Sequence, residues 1–392
     1  MLFSFAMMIL VGIFLAMMMR KFGLPNLLGY LLAGIILGPF VFNVIDITTF
    51  QISSDIRQIA LMIILMRAGL NLQISDLKKV GSSALLMCFV PASFEIIGLM
   101  ILAPIFLHLD LLNAALLGTV LAAVSPAVVV PLMLKLMDEG YGTKEGIPQL
   151  IMAGASMDDV YVIVLFTSLL TLAKSGEFNA LSLLRIPTSI LFGIISGIVL
   201  GYALCKLYRL LKLSTEIELA SMFAIGMILI TIERMMAGVV GFSGLLAIMA
   251  MTAAMRHINP EMADKYSAIL AKLWQPAEIF LFALVGASVR IDYALSFGPV
   301  VLVVIILALL FRMLGVYLSI MQTKFNRKER IFTMIAYIPK ATVQAAIGGL
   351  ALEAGLASGE LILTTAVTAI LVTAPLGAIF ISFTYRNFLQ KA

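Results

Sequence analysis

Asp158 and Asp159 stand side by side in the otherwise apolar run 148–173. One charge at the centre of a membrane helix costs about 2.5–3.5 kcal/mol on insertion scales, so ionisable residues are kept there for a purpose. Neighbouring residues project about 100° apart on a helix. The two carboxylates therefore cannot share one proton face to face, but one can look toward a cavity while the other meets a partner helix. A carboxylate held away from water needs a positive partner, and a proton and a metal cation compete for that place. Competition for one carboxylate suffices to couple the movements of two cations. Asp158 and Asp159 are thus the candidate ligands for a cation and a proton.

Three further sets of residues bear on that chemistry. Pro126 and Pro131 fall in the fifth apolar run and Pro339 in the twelfth. A proline removes a backbone donor and frees the carbonyl four residues back, which lipid cannot satisfy, so each break must face protein or a cavity. The carbonyl near Ala122 and the Ser125 hydroxyl are candidate oxygen ligands for a hard cation, and Lys340 is positioned to neutralise nearby negative charge, Asp158 included. Glu95 and Arg312, opposite in sign within apolar runs, most economically pair with each other as a structural ion pair. Counting Glu95, Asp158, Asp159, Arg312 and Lys340, the acids outnumber the bases by one, so the cluster is one cation short of neutral. Arg67 would cancel the deficit, but it sits late enough in its run to reach an interface and is left out.

The elements that must hold these residues are membrane helices. The 392 residues are 62% hydrophobic and 12% charged, with a mean hydropathy of +1.13, which excludes a water-soluble globule. Apolar runs long enough to cross a bilayer core of about 30 Å recur throughout. We read about 13 spans, at roughly 3–19, 26–42, 56–71, 80–107, 111–134, 148–173, 186–206, 216–232, 238–255, 274–290, 297–321, 331–352 and 361–385. The first lacks a basic preamble and a cleavage site, and is expected to be a retained helix. Alternate loops, beginning with Arg20 and Lys21, hold most of the Lys and Arg, which predicts an outside N-terminus and a cytoplasmic C-terminus. Cys88 and Cys205 lie in or at the edge of apolar runs, and His108 and His257 are expected in loops, so neither a disulfide framework nor a metal cluster is anticipated. The basic balance reflects loops facing anionic lipid, and no nucleic-acid partner is inferred.

The chain also resembles itself. Leu61 to Gly69 is similar to Glu278 to Gly286, and Glu95 matches Arg312 at the same spacing of 217; Gly23 to Gly34 is similar to Gly241 to Thr252 at 218. Matching Pro126 with Pro339 gives 213. Six helices on each side of a linker helix imply an inverted-topology repeat, with a site at the bilayer midplane where the halves meet. The expected organisation is one membrane unit over 1–392: repeat one about 1–173, linker about 186–206, repeat two about 216–385.

The Asp158-Asp159 pair, Val124-Ser-Pro-Ala-Val-Val-Val-Pro131 and Pro339-Lys-Ala-Thr-Val-Gln-Ala-Ala-Ile-Gly348, in that order, resemble the sixth-helix and two broken-helix motifs of the monovalent cation:proton antiporter superfamily, and within it the NHA-type sodium/proton antiporters. The resemblance implies an all-α sodium/proton antiporter-like fold with crossed broken helices. It implies a homodimer, and an ion-carrying core, from helices within about 56–173 and 274–385, moving elevator-fashion against a dimer domain. It further implies that Asp159 binds Na+ or Li+ and H+ in turn with Asp158 assisting, and that Thr342 joins Ser125 and Ala122 as a supporting ligand. Neither an enzymatic activity nor a resident cofactor is expected, and no soluble regulatory domain is expected after the last span. Many members carry Thr-Asp-Pro at the first break where this chain has Val124-Ser125-Pro126, so no carboxylate from that helix is expected in the shell. Animal members also carry a longer N-terminal region than this sequence.

K+/H+ exchange and Na+-coupled symport remain open on the same scaffold, since flexible oxygen ligands do not fix ion size. An intramembrane aspartyl protease needs two carboxylates sharing a proton about 3 Å apart, which two consecutive residues on one helix do not provide. A membrane sensor lacks an output domain to act through.

Overall fold

The computed structural model describes residues 1–71, 82–175, 180–236 and 241–391, and the described residues are helical apart from turns, loops and one isolated antiparallel bridge. The helices are α1 (Leu2–Lys21), α2 (Asn26–Leu37), α3 (Ile47–Gln51), α4 (Ser53–Leu70), α5 (Ser82–Met87), α6 (Val90–Leu107), α7 (Leu111–Ala122), α8 (Pro126–Asp138) and α9 (Ile147–Ser175). They continue as α10 (Ala180–Leu211), α11 (Thr215–Met236), α12 (Gly244–Ile258), α13 (Pro260–Ala287), α14 (Ile291–Ser319), α15 (Arg327–Ala336), α16 (Thr342–Ile347), α17 (Leu350–Glu353) and α18 (Gly359–Phe388). Each expected span overlaps helix, although that at 26–42 is helical only to Leu37 and those at 111–134 and 331–352 are interrupted; the first residues of those at 80–107 and 238–255 lie outside the described residues. Among the described residues, nine helical segments are long and apolar enough to cross a membrane, and α2 and α12 are shorter apolar helices.

Two expectations need correction. The run 80–107 is divided between α5 and α6, because Pro91, in the first turn of α6, has no N–H to continue the ladder from Met87. His257 is in the last turn of α12, where it and Arg256 face the negative end of the helix dipole. His108 is in a loop position as expected, the left-handed residue that closes α6.

The chain forms two compact units. One comprises Met1–Ser54, Ser75–Ile163 and Ile279–Ala392; the other comprises Asp55–Ile74 and Val164–Glu278. Within the first, α2 lies against the end of α13 so closely that a methyl group added to Gly34 would overlap the Ala283 carbonyl, and one added to Gly286 would overlap that of Leu31. Within the second, Gly69 is fitted in the same way against the Met249 carbonyl and the Thr252 hydroxyl, joining α4 to α12. Gly69 and Gly286 stand at matching positions of the sequence repeat, as do Leu31 and Met249, so the two contacts are counterparts. Small residues allow membrane helices to approach where no hydrophobic force drives them together. Gly34→Val is accordingly expected to force α2 off α13, costing at least the ~3 kcal/mol at the top of the usual overpacking range. Size-exclusion profiles and melting in detergent would register it as loss of the monodisperse peak or a large fall in Tm.

The end of α18 is fastened to the α8–α9 connection in the first unit. Gly142 N–H donates to the Gln390 carbonyl at 2.8 Å and Tyr385 Oη donates to Glu139 Oε2 at 2.8 Å. Leu389 is buried in the same core as Ile147, Leu150, Ile151 and Ala155 of α9. The first turns of the helix that carries the paired carboxylates are therefore held on a packed base.

Candidate ion-binding site

Two interrupted helices build the site. α7 stops at Ala122, Ala123 to Ser125 are extended or nearly so, and α8 starts on Pro126, whose missing N–H costs nothing at a helix's first position. α15 stops at Ala336 and α16 resumes at Thr342, with Pro339 inside the break and Gly377 of α18 leaving room for its ring. The breaks bond to each other: Ser125 N–H donates to the Pro339 carbonyl at 2.8 Å, and the Ser125 and Thr342 hydroxyls are 3.0 Å apart. Ser125 and Thr342 are 217 residues apart, the spacing of Glu95 and Arg312. Matching the prolines misplaces the register, because Pro126 opens a helix whereas Pro339 lies in the non-helical stretch between α15 and α16; a proline marks a break without fixing where the helix restarts.

The carbonyls freed at the end of α7 are engaged by cations and an amide. Arg312 of α14 donates Nη1 to the Ala122 carbonyl, Lys340 Nζ donates to Leu121 O at 2.5 Å, and Gln344 Nε2 donates to Ala123 O at 2.8 Å. Positive donors at the negative end of a half-helix replace the partners that the break removed. Ala122, offered by the sequence as an oxygen ligand, has its carbonyl bonded to Arg312, and Ser125 and Thr342 are bonded to each other.

The same cations hold the acids. Arg312 Nη1 donates to Glu95 Oε2 at 3.0 Å and Nη2 to Asp158 Oδ2 at 2.6 Å. Lys340 Nζ is 2.7 Å from Glu95 Oε1 and 2.8 Å from Oε2. Asp158 Oδ2 also accepts the Val124 N–H at 3.0 Å. Glu95 and Arg312 meet as the sequence suggests, but the lysine offered to Asp158 goes to Glu95, and Arg312 bridges both acids. All four side chains are at most 1% exposed. Their charges balance, which is the condition under which such a group is tolerated away from water.

Asp159 remains outside this balance. It is 7% exposed, and its Oδ1 has no hydrogen-bond partner among the described residues. The ion pairs of Arg312 and Lys340 are made with Glu95 and Asp158, and Asp159 takes part in none of them. Such a group has three chemical options in a low-dielectric setting: it carries a proton, it binds a cation, or it pulls water in. Among the described residues no group of three or more His, Cys, Asp or Glu gathers as a resident metal site would require.

Sequence reasoning overlooked three contributors. Gln344 and Thr373, which accepts the Lys340 N–H at 3.0 Å, are polar residues in apolar runs and were visible on that ground. Tyr337 gave no such signal. Arg67, set aside above, belongs to the other unit, where it faces Glu278.

A family model described as "Sodium/hydrogen exchanger, transmembrane" matches residues 6–386. The chain belongs to the sodium/hydrogen exchanger family. Among curated relatives, sodium/hydrogen exchanger 9B2 of Pongo abelii is 36% identical over 388 residues, covering 94% of this chain and 70% of that protein. Human sodium/hydrogen exchanger 9B1 is 35% identical over 371 residues, covering 91% and 71%. The sodium proton antiporter MjNhaP1 from Methanocaldococcus jannaschii superposes with a TM-score of 0.84 at 20% identity, covering 98% of this chain and 97% of that one. At that identity the likeness establishes a shared fold. Family membership makes the protein a multi-pass membrane transporter.

Proposed function

We propose that this exchanger moves Na+ or Li+ against H+ by alternating access, with cation and proton competing for Asp159 and Asp158 assisting from its Arg312-bound position. The supporting observation is the charge-balanced Glu95, Asp158, Arg312 and Lys340 group, which leaves Asp159 with an oxygen unpartnered among the described residues. Asp158 would have to give up Arg312 and the Val124 N–H at Oδ2 to bind an ion there, whereas Asp159 has no partner to break at Oδ1 among the described residues. The crossed breaks and the matched contacts 217 residues apart support an inverted repeat, the arrangement that lets one site open alternately to two sides. The working form is a homodimer in the plasma or inner membrane, with the N-terminus outside and the C-terminus in the cytoplasm, following the distribution of basic loops.

The test uses liposomes holding a proton gradient and a pH-sensitive dye. Na+ and Li+ are expected to collapse the gradient in a protein-dependent manner. Collapse by K+ alone would move the assignment to potassium/proton exchange, and dependence on an organic solute moving with Na+ would point to symport.

A further inference from the structure

Tyr337 closes α15 at the edge of the second break, and its contacts exceed what a break requires. Its carbonyl accepts Arg312 Nε at 2.9 Å, and the guanidinium carbon stands 5.3 Å from its ring centre, within cation–π range. Both contacts act on the guanidinium that holds Asp158. The hydroxyl lies at the end of a side chain 1% exposed and has no hydrogen-bond partner among the described residues. It is wedged against α9 at Gly154, where an added methyl group would overlap it. Gly154 and Asp158 are one turn apart on one face of α9, about 6 Å along the axis at 1.5 Å per residue. Asp158 Oδ1 is also unpartnered among the described residues.

A buried phenol without a partner costs about 1–3 kcal/mol, a penalty that phenylalanine would avoid at this position. The Tyr337 hydroxyl and Asp158 Oδ1 are both orphaned among the described residues, and the two side chains are near enough to interact electrostatically; a buried water with two or more polar partners is what such groups take up. We propose that Tyr337 is a positioning residue of the ion site: its ring and carbonyl fix the Arg312 guanidinium, and its hydroxyl, through one water, ties Asp158 Oδ1 to the second helix break. Asp158 is then held from both oxygens, by Arg312 on one side and by Tyr337 on the other, and so keeps its neighbour Asp159 aimed at the arriving cation. This inference rests on reading the Asp158-Asp159 pair as the transport site.

Tyr337→Phe keeps the ring and carbonyl and removes only the hydroxyl. Outer contacts of ion ligands typically contribute 10–100-fold to affinity, so in liposomes KM for Na+ is expected to rise about tenfold with the maximal rate near wild type. In detergent this variant is expected to melt with wild type when ion-free, and to need about tenfold more Na+ for the same rise in Tm. Gly154→Ala, which keeps the tyrosine but drives its hydroxyl aside, is expected to raise KM likewise and keeps the idea testable should Tyr337→Phe fold poorly. Unchanged KM and unchanged Na+-induced Tm shift in either variant, beside an active wild type, would overturn the role of the hydroxyl. A wild type that exchanges no cation would instead overturn the transport reading, and this inference with it.

Discussion

Arg312→Gln is expected to be among the most damaging single substitutions in the protein. It leaves Glu95 and Asp158 to share only Lys340, itself paired with Glu95, and uncovers the carbonyls of Ala122 and Tyr337. Removing one member of a buried ion group typically costs about 3–5 kcal/mol, because the partner stays behind uncompensated. That is a large part of the ~5–15 kcal/mol stability of a typical domain, so loss of folded protein or a Tm lowered by many degrees is expected. The companion variant gives the sign: Arg312→Gln with Asp158→Asn restores charge balance around Glu95 and Lys340. It is expected to recover part of the melting temperature without recovering transport. Exchanging the charges, Glu95→Arg with Arg312→Glu, is expected to fail, since it sets a glutamate against Asp158. A melting series over these variants checks the three stability expectations, with transport of the double variant read in liposomes, and equal stability of Arg312→Gln and wild type would contradict the role given to the four buried charges.

Asp159→Asn is expected to do the opposite, abolishing exchange while leaving the fold intact. Asparagine has nearly the same shape, and no protein group among the described residues donates to Asp159 Oδ1, so little structural interaction is lost. What disappears is the charge for which proton and cation compete. Asp158→Asn, by contrast, deletes the acceptor of Arg312 Nη2 and of the Val124 N–H, and is expected to lower Tm as well as transport. Two adjacent aspartates, alike in the sequence, are thus expected to separate into one whose loss costs stability as well as transport and one whose loss costs transport alone.

That separation was not legible in the sequence, although much of the rest was. The apolar runs gave the helices because lipid leaves the backbone no other partner than its own ladder. The mid-run prolines marked both breaks, and the repeat-matched Glu95 and Arg312 gave an ion pair that the structure contains. The charge count gave the deficit but not the residue bearing it, since Lys340 and Arg312 could each have served either acid. Which carboxylate a long cation reaches depends on where the half-helices cross, and the breaks meet at Ser125, which bonds to both the Pro339 carbonyl and the Thr342 hydroxyl, a register that the proline spacing alone does not give. Tyr337 escaped notice because a tyrosine among apolar residues ordinarily reads as packing. Its significance lies in what its ring and carbonyl touch, a matter of three dimensions.

Asp159 is proposed as the group at which cation and proton exchange places. That role is tested most directly by Na+-dependent collapse of a proton gradient in liposomes, measured for wild type and Asp159→Asn at matched protein content after both have been shown to melt alike. A full response is expected in wild type and none above empty liposomes in the variant. A variant that responds like wild type would contradict that role.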